Sequence, residues 1–231
     1  MRNGFDQLWA RVGVFMATLL VADASAQDLN NELTIRELYQ QGEDHFFAGS
    51  FEKSIASWDA EIKRMPSRDP YHWQRGLAYY YAREYENGVK QFERHQEVNG
   101  NDVENAVWHF LCAVRSKDGS FAKARKSLIP IEGDTRIPMK EVHDLFAGKG
   151  TEKEVLKAAG EARDELLRRN QLCYAHLYLA LYHEALGDTK KSLTHMKKAA
   201  IDFRMDHYMG KVAQVHFKVR SLKEKRAVKK D

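Results

Sequence analysis

The sequence is poor in the residues that define several specialised protein classes. Its 231 residues include only two cysteines, four prolines and fourteen glycines. Two cysteines exclude a disulfide-dense scaffold and a four-thiolate zinc site. The low glycine and proline content excludes collagen-like and low-complexity chains, and an aromatic content of 11% is too high for a disordered chain. The length suffices for one domain with a core or for a short repeat array.

The chain also lacks a strong excess of charge of one sign. Its net charge of +4 is too small to indicate a nucleic-acid partner. The basic excess is confined to residues 218–231, which hold seven basic and two acidic residues. We expect this basic tail to be a solvated chain end, with weak contact to an anionic lipid or envelope polymer as the alternative.

Long hydrophobic runs are missing, and the one short run lies near the N-terminus. Arg2 and Arg11 precede an apolar run over residues 12–22, and the small-residue pattern Ala-Ser-Ala follows at 24–26. A helix of this length covers about 16 Å, roughly half of the hydrocarbon core of a bilayer. The layout predicts a secretory signal peptide over residues 1–26, with an uncleaved anchor as the alternative, and therefore an exported protein that is periplasmic or secreted.

A spacing of 34 residues organises the rest of the chain. Three pairs of equivalent residues have this separation: Gly42 and Gly76, Phe51 and Tyr85, Trp58 and Phe92. In each of four units a small residue stands twelve positions before another: Gly42 before Ser54, Gly76 before Gly88, Cys112 before Ala124, Ala180 before Ser192. Matched small residues let two helices approach closely, and a large residue four positions later is expected to fill the gap to the neighbouring pair. We expect Trp58 to be buried between the helices of the first two units.

Helix boundaries are also legible. Thr34 with Glu37, and Thr151 with Glu154, have the spacing of the capping box. No segment alternates convincingly between apolar and polar residues, so the sequence predicts an all-α fold. The sequence predicts four helix pairs, over residues 35–68, 69–102, 105–130 and 173–204. A divergent pair over 131–169 is built from helices 139–147 and 152–169. A C-terminal capping helix is predicted over about 205–222.

The repeat resembles the tetratricopeptide family, whose unit is also 34 residues long. Gly42 and Pro66 stand at the family's positions in the first unit, and Gly76, Tyr79 and Phe92 do so in the second. The runs at 75–80 and 178–182, and the divergent pair between them, extend the resemblance. The order of these segments resembles the tetratricopeptide-repeat envelope lipoproteins of the new lipoprotein I type, although the lipid-attachment cysteine of that family is missing. The resemblance implies an α-solenoid over residues 27–217 and an adaptor for envelope proteases or cell-wall enzymes.

In that family the first helix of each unit lines a concave face. The resemblance therefore implies a client-binding groove with these residues: Tyr39, Trp73, Gln74, Tyr80, His109, Phe110, Tyr174 and Tyr178. An aromatic and amide-rich trough suits an extended or helical peptide, whereas the alternative is that the aromatic rings stack between repeats. The expected partner is a protein or peptide client. Homodimerisation is a further option, because residues 27–33 and the last helix are free to pack on a second copy.

Motifs for catalysis or for metal binding are missing from the sequence. It has no His-Glu-x-x-His, no Cys-x-x-Cys and no phosphate-binding glycine-rich loop. We therefore expect no cofactor, no metal and a non-catalytic scaffold. Two rivals remain: a histidine-based hydrolase, and a structural envelope protein bound to cell-wall polymer through its basic tail. His176 and His183 are expected to be structural, and Cys112 to be a small buried residue, with a disulfide to Cys173 as the alternative.

Overall fold

The computed structural model describes residues 33–228, with side-chain surroundings as far as Leu222. Within that range the chain forms eleven α-helices, a short 3-10 helix over Pro66–Tyr71 and a π turn over Lys198–Asp202, and it has no strand. The helices are α1 (Ile35–Ala48), α2 (Phe51–Arg64), α3 (Trp73–Ala82), α4 (Tyr85–Val98), α5 (Val103–Arg115), α6 (Phe121–Lys126), α7 (Met139–Ala147), α8 (Glu152–Gly160), α9 (Glu165–Leu186), α10 (Thr189–Lys197) and α11 (Tyr208–Val228). The all-α prediction is confirmed, whereas the predicted signal peptide lies outside the described residues.

Successive helices pack as pairs, in the manner of a helical repeat. The pairs are α1 with α2, α3 with α4, α5 with α6, α7 with α8, and α9 with α10. Each pair also contacts the next pair or a neighbouring one, and one buried apolar core runs through all of them. None of the helices in residues 33–228 has the length and apolar character that a bilayer span requires.

Glycines at the matched positions set the distance between paired helices. A Cβ added at Gly42 would lie 2.2 Å from Nε1 of Trp58, and one added at Gly76 would lie 2.6 Å from the Phe92 ring. The Ser54 hydroxyl donates a hydrogen bond of 2.7 Å to the Gly42 carbonyl. Both large rings are buried. The 34-residue spacing thus corresponds to a repeated contact in which an aromatic ring sits on glycine backbone.

The predicted helix starts are confirmed. At Thr34 and at Thr151 the side-chain oxygen accepts a hydrogen bond from the backbone N–H of Glu37 and Glu154, respectively. Each glutamate carboxylate in turn accepts a hydrogen bond from the backbone N–H of its threonine. Both capping boxes are therefore complete, which satisfies donors that would otherwise be unpaired at a helix start. Gly187 ends α9 in the left-handed conformation, with φ of 82°.

The divergent segment matches the prediction in its first helix and differs in its second. Helix α7 has the predicted bounds, but α8 ends at Gly160 and does not continue to Arg169. A new helix begins instead, because the Asp164 carboxylate accepts a hydrogen bond of 2.7 Å from the Leu167 N–H and caps the first turn of α9. Helix α9 then runs for 22 residues, so the boundary predicted at residue 173 falls inside it.

The C-terminal helix α11 folds back over the first helices of three pairs. Tyr208, at its start, packs against Phe46 and Phe47 of α1 and against Trp73 of α3. Farther along, His216 packs against Tyr81 of α3. We call the surface of α1, α3 and α9 that α11 covers the inner face. One side of α11 is thus buried within its own chain, and homodimerisation through the last helix stays a prediction.

A buried ion-pair network holds α11 on the inner face. The Glu184 carboxylate of α9 accepts hydrogen bonds from the Tyr80 hydroxyl at 2.7 Å and from Arg220 at 2.6 Å, and it lies 2.7 Å from Nε2 of His216. Burial alone would raise the pKa of Glu184, but His216 and Arg220 outweigh it and hold that pKa well below its usual range. The predicted tail boundary at residue 218 therefore lies inside an anchored helix.

The two cysteines lie in different helices, and both thiols are free and buried. A Cβ added at Gly88 would lie 2.6 Å from Sγ of Cys112, so this thiol fills the narrow slot that its small size predicts. Burial raises the pKa of both thiols, that of Cys173 to about 11.

We expect both thiols to be inert in the folded protein. Ellman's reagent at pH 8 should label neither cysteine in the native protein and two cysteines per chain in denaturant, because a buried, protonated thiol is a poor nucleophile. Labelling of the native protein at the rate of a free thiol would contradict the burial of both side chains. Failure to label in denaturant without reductant would show that the pair is oxidised.

Candidate functional site

A recess of about 270 Å³ lies between α3, α5 and the start of α11. Its apolar lining consists of Trp73, Phe92, Trp108, Tyr208 and Met209, and its polar lining of Asp102, Glu104, Asn105, Arg136 and His207. The rings of Trp73 and Tyr208 meet edge to face, with 4.8 Å between their centroids. Aromatic walls next to a few polar groups are typical of binding pockets.

An arginine from the connection between α6 and α7 closes one side of the recess. Arg136 forms ion pairs of 2.6 Å with each of three carboxylates, those of Asp102, Glu104 and Asp134. Asp134 also accepts a hydrogen bond of 3.2 Å from the Val103 N–H, the first residue of α5. The connecting segment is thereby fixed to the start of α5, and the carboxylates outnumber the guanidinium three to one.

Burial and charge tune the acidic groups of this cluster in opposite directions. Burial raises the pKa of Glu104 to about 7, although Arg136 opposes the rise. Burial also acts to raise the pKa of Asp134, but hydrogen bonds from Arg136 and Val103 outweigh it and lower that pKa. The buried Tyr178 has a raised pKa because of its burial and the nearby Glu104 carboxylate. The recess therefore contains one carboxyl group that titrates near neutral pH.

Three buried polar atoms of the lining residues have no hydrogen-bond partner within the described chain. They are Nε1 of Trp108, a donor, Oδ1 of Asn105, an acceptor, and the hydroxyl oxygen of Tyr208, which can do either. The amide nitrogen of Asn105, in contrast, donates to the Phe92 carbonyl at 3.1 Å. A buried polar atom without a partner costs about 1–3 kcal/mol.

A second, more open recess of about 560 Å³ shares His207 with the first. Its other lining residues are Leu166, Arg169, Asn170, Tyr174, Arg204, Met205 and Asp206. The Tyr174 hydroxyl and Nδ1 of His207 are 3.0 Å apart, and Leu166 is 66% exposed. We call the two recesses together the His207 cleft.

Three of the eight predicted groove residues keep exposed surface: Tyr39, Trp73 and Tyr174. Of these, Trp73 and Tyr174 line the His207 cleft. The other five are buried: Gln74, Tyr80, His109, Phe110 and Tyr178. A buried side chain has no surface to offer to a client, so this placement corrects the set of groove contacts. Whether the remaining surface binds a client stays a prediction.

The burial of these residues has two physical causes. Helix α11 covers part of the inner face, and Tyr80 lies beneath Arg220, with its hydroxyl bonded to Glu184. Phe110 instead packs edge to face against Phe121 and Phe146, at centroid distances of 5.2 and 5.1 Å. Its ring therefore lies in the core between α5, α6 and α7.

The sequence patterns did not predict several lining residues of the cleft, namely Glu104, Arg136, His207 and Tyr208. A signal for Arg136 was present, because it lies in the segment that interrupts the repeat, and insertions into repeats often form binding loops. His207 directly precedes α11, and Tyr208 is the first residue of that helix. No repeat spacing indicates that this helix covers the inner face.

No family model matches the sequence, and no curated protein matches it either. The resemblance to tetratricopeptide proteins is therefore carried only by the residues and spacings of the chain itself. Fold and cleft define an all-α protein of packed helix pairs with an aromatic recess beside its C-terminal helix.

Proposed function

We propose that the helix pairs form an α-solenoid of the tetratricopeptide type and that the protein is an exported, non-catalytic scaffold. Its client is a polypeptide segment that binds in the His207 cleft. The observation that supports this most directly is a recess in which the half-buried rings of Trp73 and Tyr208 lie beside the polar side chains of Asp102, Arg136 and His207.

The composition of the cleft favours a polypeptide over a small polar ligand. Tryptophan and tyrosine are the residues that most often supply the binding energy of protein interfaces, and the cleft offers Trp73, Tyr174 and Tyr208. The exposed side chain of Leu166 extends the apolar surface. The charged lining of the cleft is balanced, with three carboxyl groups and three arginines, so we propose that the aromatic side chains dominate client binding.

Trp73→Ala is expected to weaken client capture about 30-fold, or ~2 kcal/mol, because it removes a central aromatic anchor. Trp73 is half-buried and its main ring contact is Tyr208, so the free energy of unfolding should fall by no more than about 1.5 kcal/mol. The measurement is photocrosslinking in cells, with a photoreactive amino acid at Leu166, followed by quantification of the crosslinked product.

A photoreactive amino acid at Tyr71, which is 64% exposed and not in the cleft lining, serves as the matched control. It should give no product that depends on Trp73. Loss of both stability and capture in Trp73→Ala would mean that Trp73 is a core residue. Unchanged capture would show that the cleft is not the client site, and the basic tail would then be the next candidate. The side chains of that tail lie outside the described residues from residue 223 onward.

A further inference from the structure

Three potential metal ligands from three different helices meet at one point, away from the His207 cleft. Glu152 is the first residue of α8, His183 is in the last turn of α9, and His195 is in the last turn of α10. One ligand atom from each side chain lies within 4.8 Å of the other two. The cluster therefore joins the divergent helix pair to the last pair.

The separations fit a small divalent ion. Nε2 of His183 is 3.1 Å from Oε2 of Glu152, and Nε2 of His195 is 3.9 Å from the same oxygen. A tetrahedral Zn²⁺ ion with nitrogen and oxygen ligands at about 2.0–2.2 Å holds neighbouring ligand atoms roughly 3.4 Å apart. The two distances lie on either side of this value, and the third separation, between the two histidines, is no more than 4.8 Å.

His183 is buried without a hydrogen-bond partner. Its side chain is nearly inaccessible to solvent, and neither ring nitrogen makes a hydrogen bond in the described chain. The Glu152 oxygen approaches Nε2 closely but without the alignment of a hydrogen bond. A buried imidazole without a partner is unfavourable, and a metal ion would supply the missing partner.

A third histidine, His176, contacts the outer ring nitrogen of His195 and restricts its orientation and tautomer. Nδ1 of His176 is 2.8 Å from Nδ1 of His195, so one of these atoms carries the hydrogen and the other accepts it. If His195 donates, its Nε2 keeps a lone pair facing Glu152. The opposite arrangement would place an N–H at Nε2, and the 3.9 Å to the carboxylate is too long for a hydrogen bond.

We propose that Glu152, His183 and His195 bind a Zn²⁺ ion, with a water molecule in the fourth position. Two imidazoles, one carboxylate and an open position form a ligand set that Zn²⁺ adopts in proteins. His176 acts as a positioning residue, since a hydrogen bond to the outer nitrogen of a ligating histidine sets its tautomer. The Glu152 side chain is 37% exposed, so the ion has access from solvent. The site differs from the expectation of no metal that the sequence motifs gave.

The test uses the full chain without a histidine tag, stripped of metal with a chelator and then dialysed. Zn²⁺ alone is titrated in competition with a chromophoric chelator, and Co²⁺ is used as a spectroscopic probe. We expect one Zn²⁺ per chain and, with Co²⁺, the strong visible absorption of a four-coordinate site. Absence of saturable binding, or only the weak absorption of six-coordinate Co²⁺, would overturn the proposal.

Matched variants separate this site from adventitious binding to other histidines. His195→Ala should weaken Zn²⁺ binding by more than the ~10–100-fold expected for an outer-shell residue, and His176→Phe, which preserves stacking on Phe203, should weaken it by about that amount. Glu152→Gln, a change at a partly exposed position, tests the site without disturbing the core.

Because Glu161 and His45 lie outside the cluster, Glu161→Gln and His45→Ala should bind Zn²⁺ like the unaltered chain. Equal affinity in Glu152→Gln, His195→Ala and these controls would refute the assignment.

Discussion

Trp58→Ala is expected to lower the free energy of unfolding by about 3–5 kcal/mol, the range for truncating a large aromatic side chain in a core. Trp58 is fully buried, and its Nε1 donates a hydrogen bond of 3.1 Å to the Tyr39 carbonyl. Its ring lies directly over Gly42 and beside Phe46. The truncation would therefore open a cavity and remove the hydrogen bond between Trp58 and the Tyr39 carbonyl. Urea denaturation followed by circular dichroism measures the loss.

Tyr71→Ala provides the comparison for an exposed aromatic ring. Tyr71 is 64% exposed, so this variant should change the free energy of unfolding by less than about 0.5 kcal/mol. A loss below about 1 kcal/mol in Trp58→Ala would contradict the packing of α1 against α2 described above.

Glu184→Gln is expected to destabilise the protein by about 3–5 kcal/mol, because it removes the acidic partner of a buried ion pair. The glutamine keeps the shape and can still accept from Tyr80, but it leaves Arg220 without its counter-charge. Attachment of α11 to the inner face should weaken most. Limited proteolysis is therefore expected to cut the variant within 203–222 faster than the unaltered chain.

The same carboxylate predicts a pH dependence. The folded-state pKa of Glu184 is depressed, so its contribution to stability is present above the ordinary glutamate pKa of about 4.3 and is lost as the pH falls below it. In Glu184→Gln this part of the acid limb of the stability curve should flatten. Glu97→Gln, at an exposed position on α4, is the control and should leave stability and proteolysis unchanged. Equal proteolysis of Glu184→Gln and the control would show that the network does not hold α11.

The features that were predictable from the sequence are those set by local chemistry or by repeat spacing. Capping boxes at Thr34 and Thr151 depend on residues three positions apart, and the burial of Trp58 follows from a small residue and a large one at fixed offsets. The helix over 139–147 lies between recognisable ends. Each of these depends on neighbours in the chain or on a pattern that recurs.

The features that were not predictable arise from contacts between distant segments. Helix α11 presents His216 and Arg220 to the inner face, so its buried side carries polar residues and gives little amphipathic signal. Tyr80 is buried by residues distant in the chain, namely Arg220 of that helix, Glu184 of α9 and Trp108 of α5, together with Tyr85 of its own helix pair. Glu152 and His183 are 31 positions apart and belong to no metal-binding spacing, so motif searches pass over them.

The position of α11 also affects how strongly an outside ligand must bind. Only residues 203–207 separate the π turn from this helix, so the helix is tethered beside its own docking surface. Short linkers of this kind give an effective concentration in the millimolar range. An external helix at micromolar concentration would have to bind the inner face about 1,000-fold more tightly than α11, or by about 4 kcal/mol, to displace it. An outside helix of ordinary affinity is therefore not expected to displace α11 from the inner face.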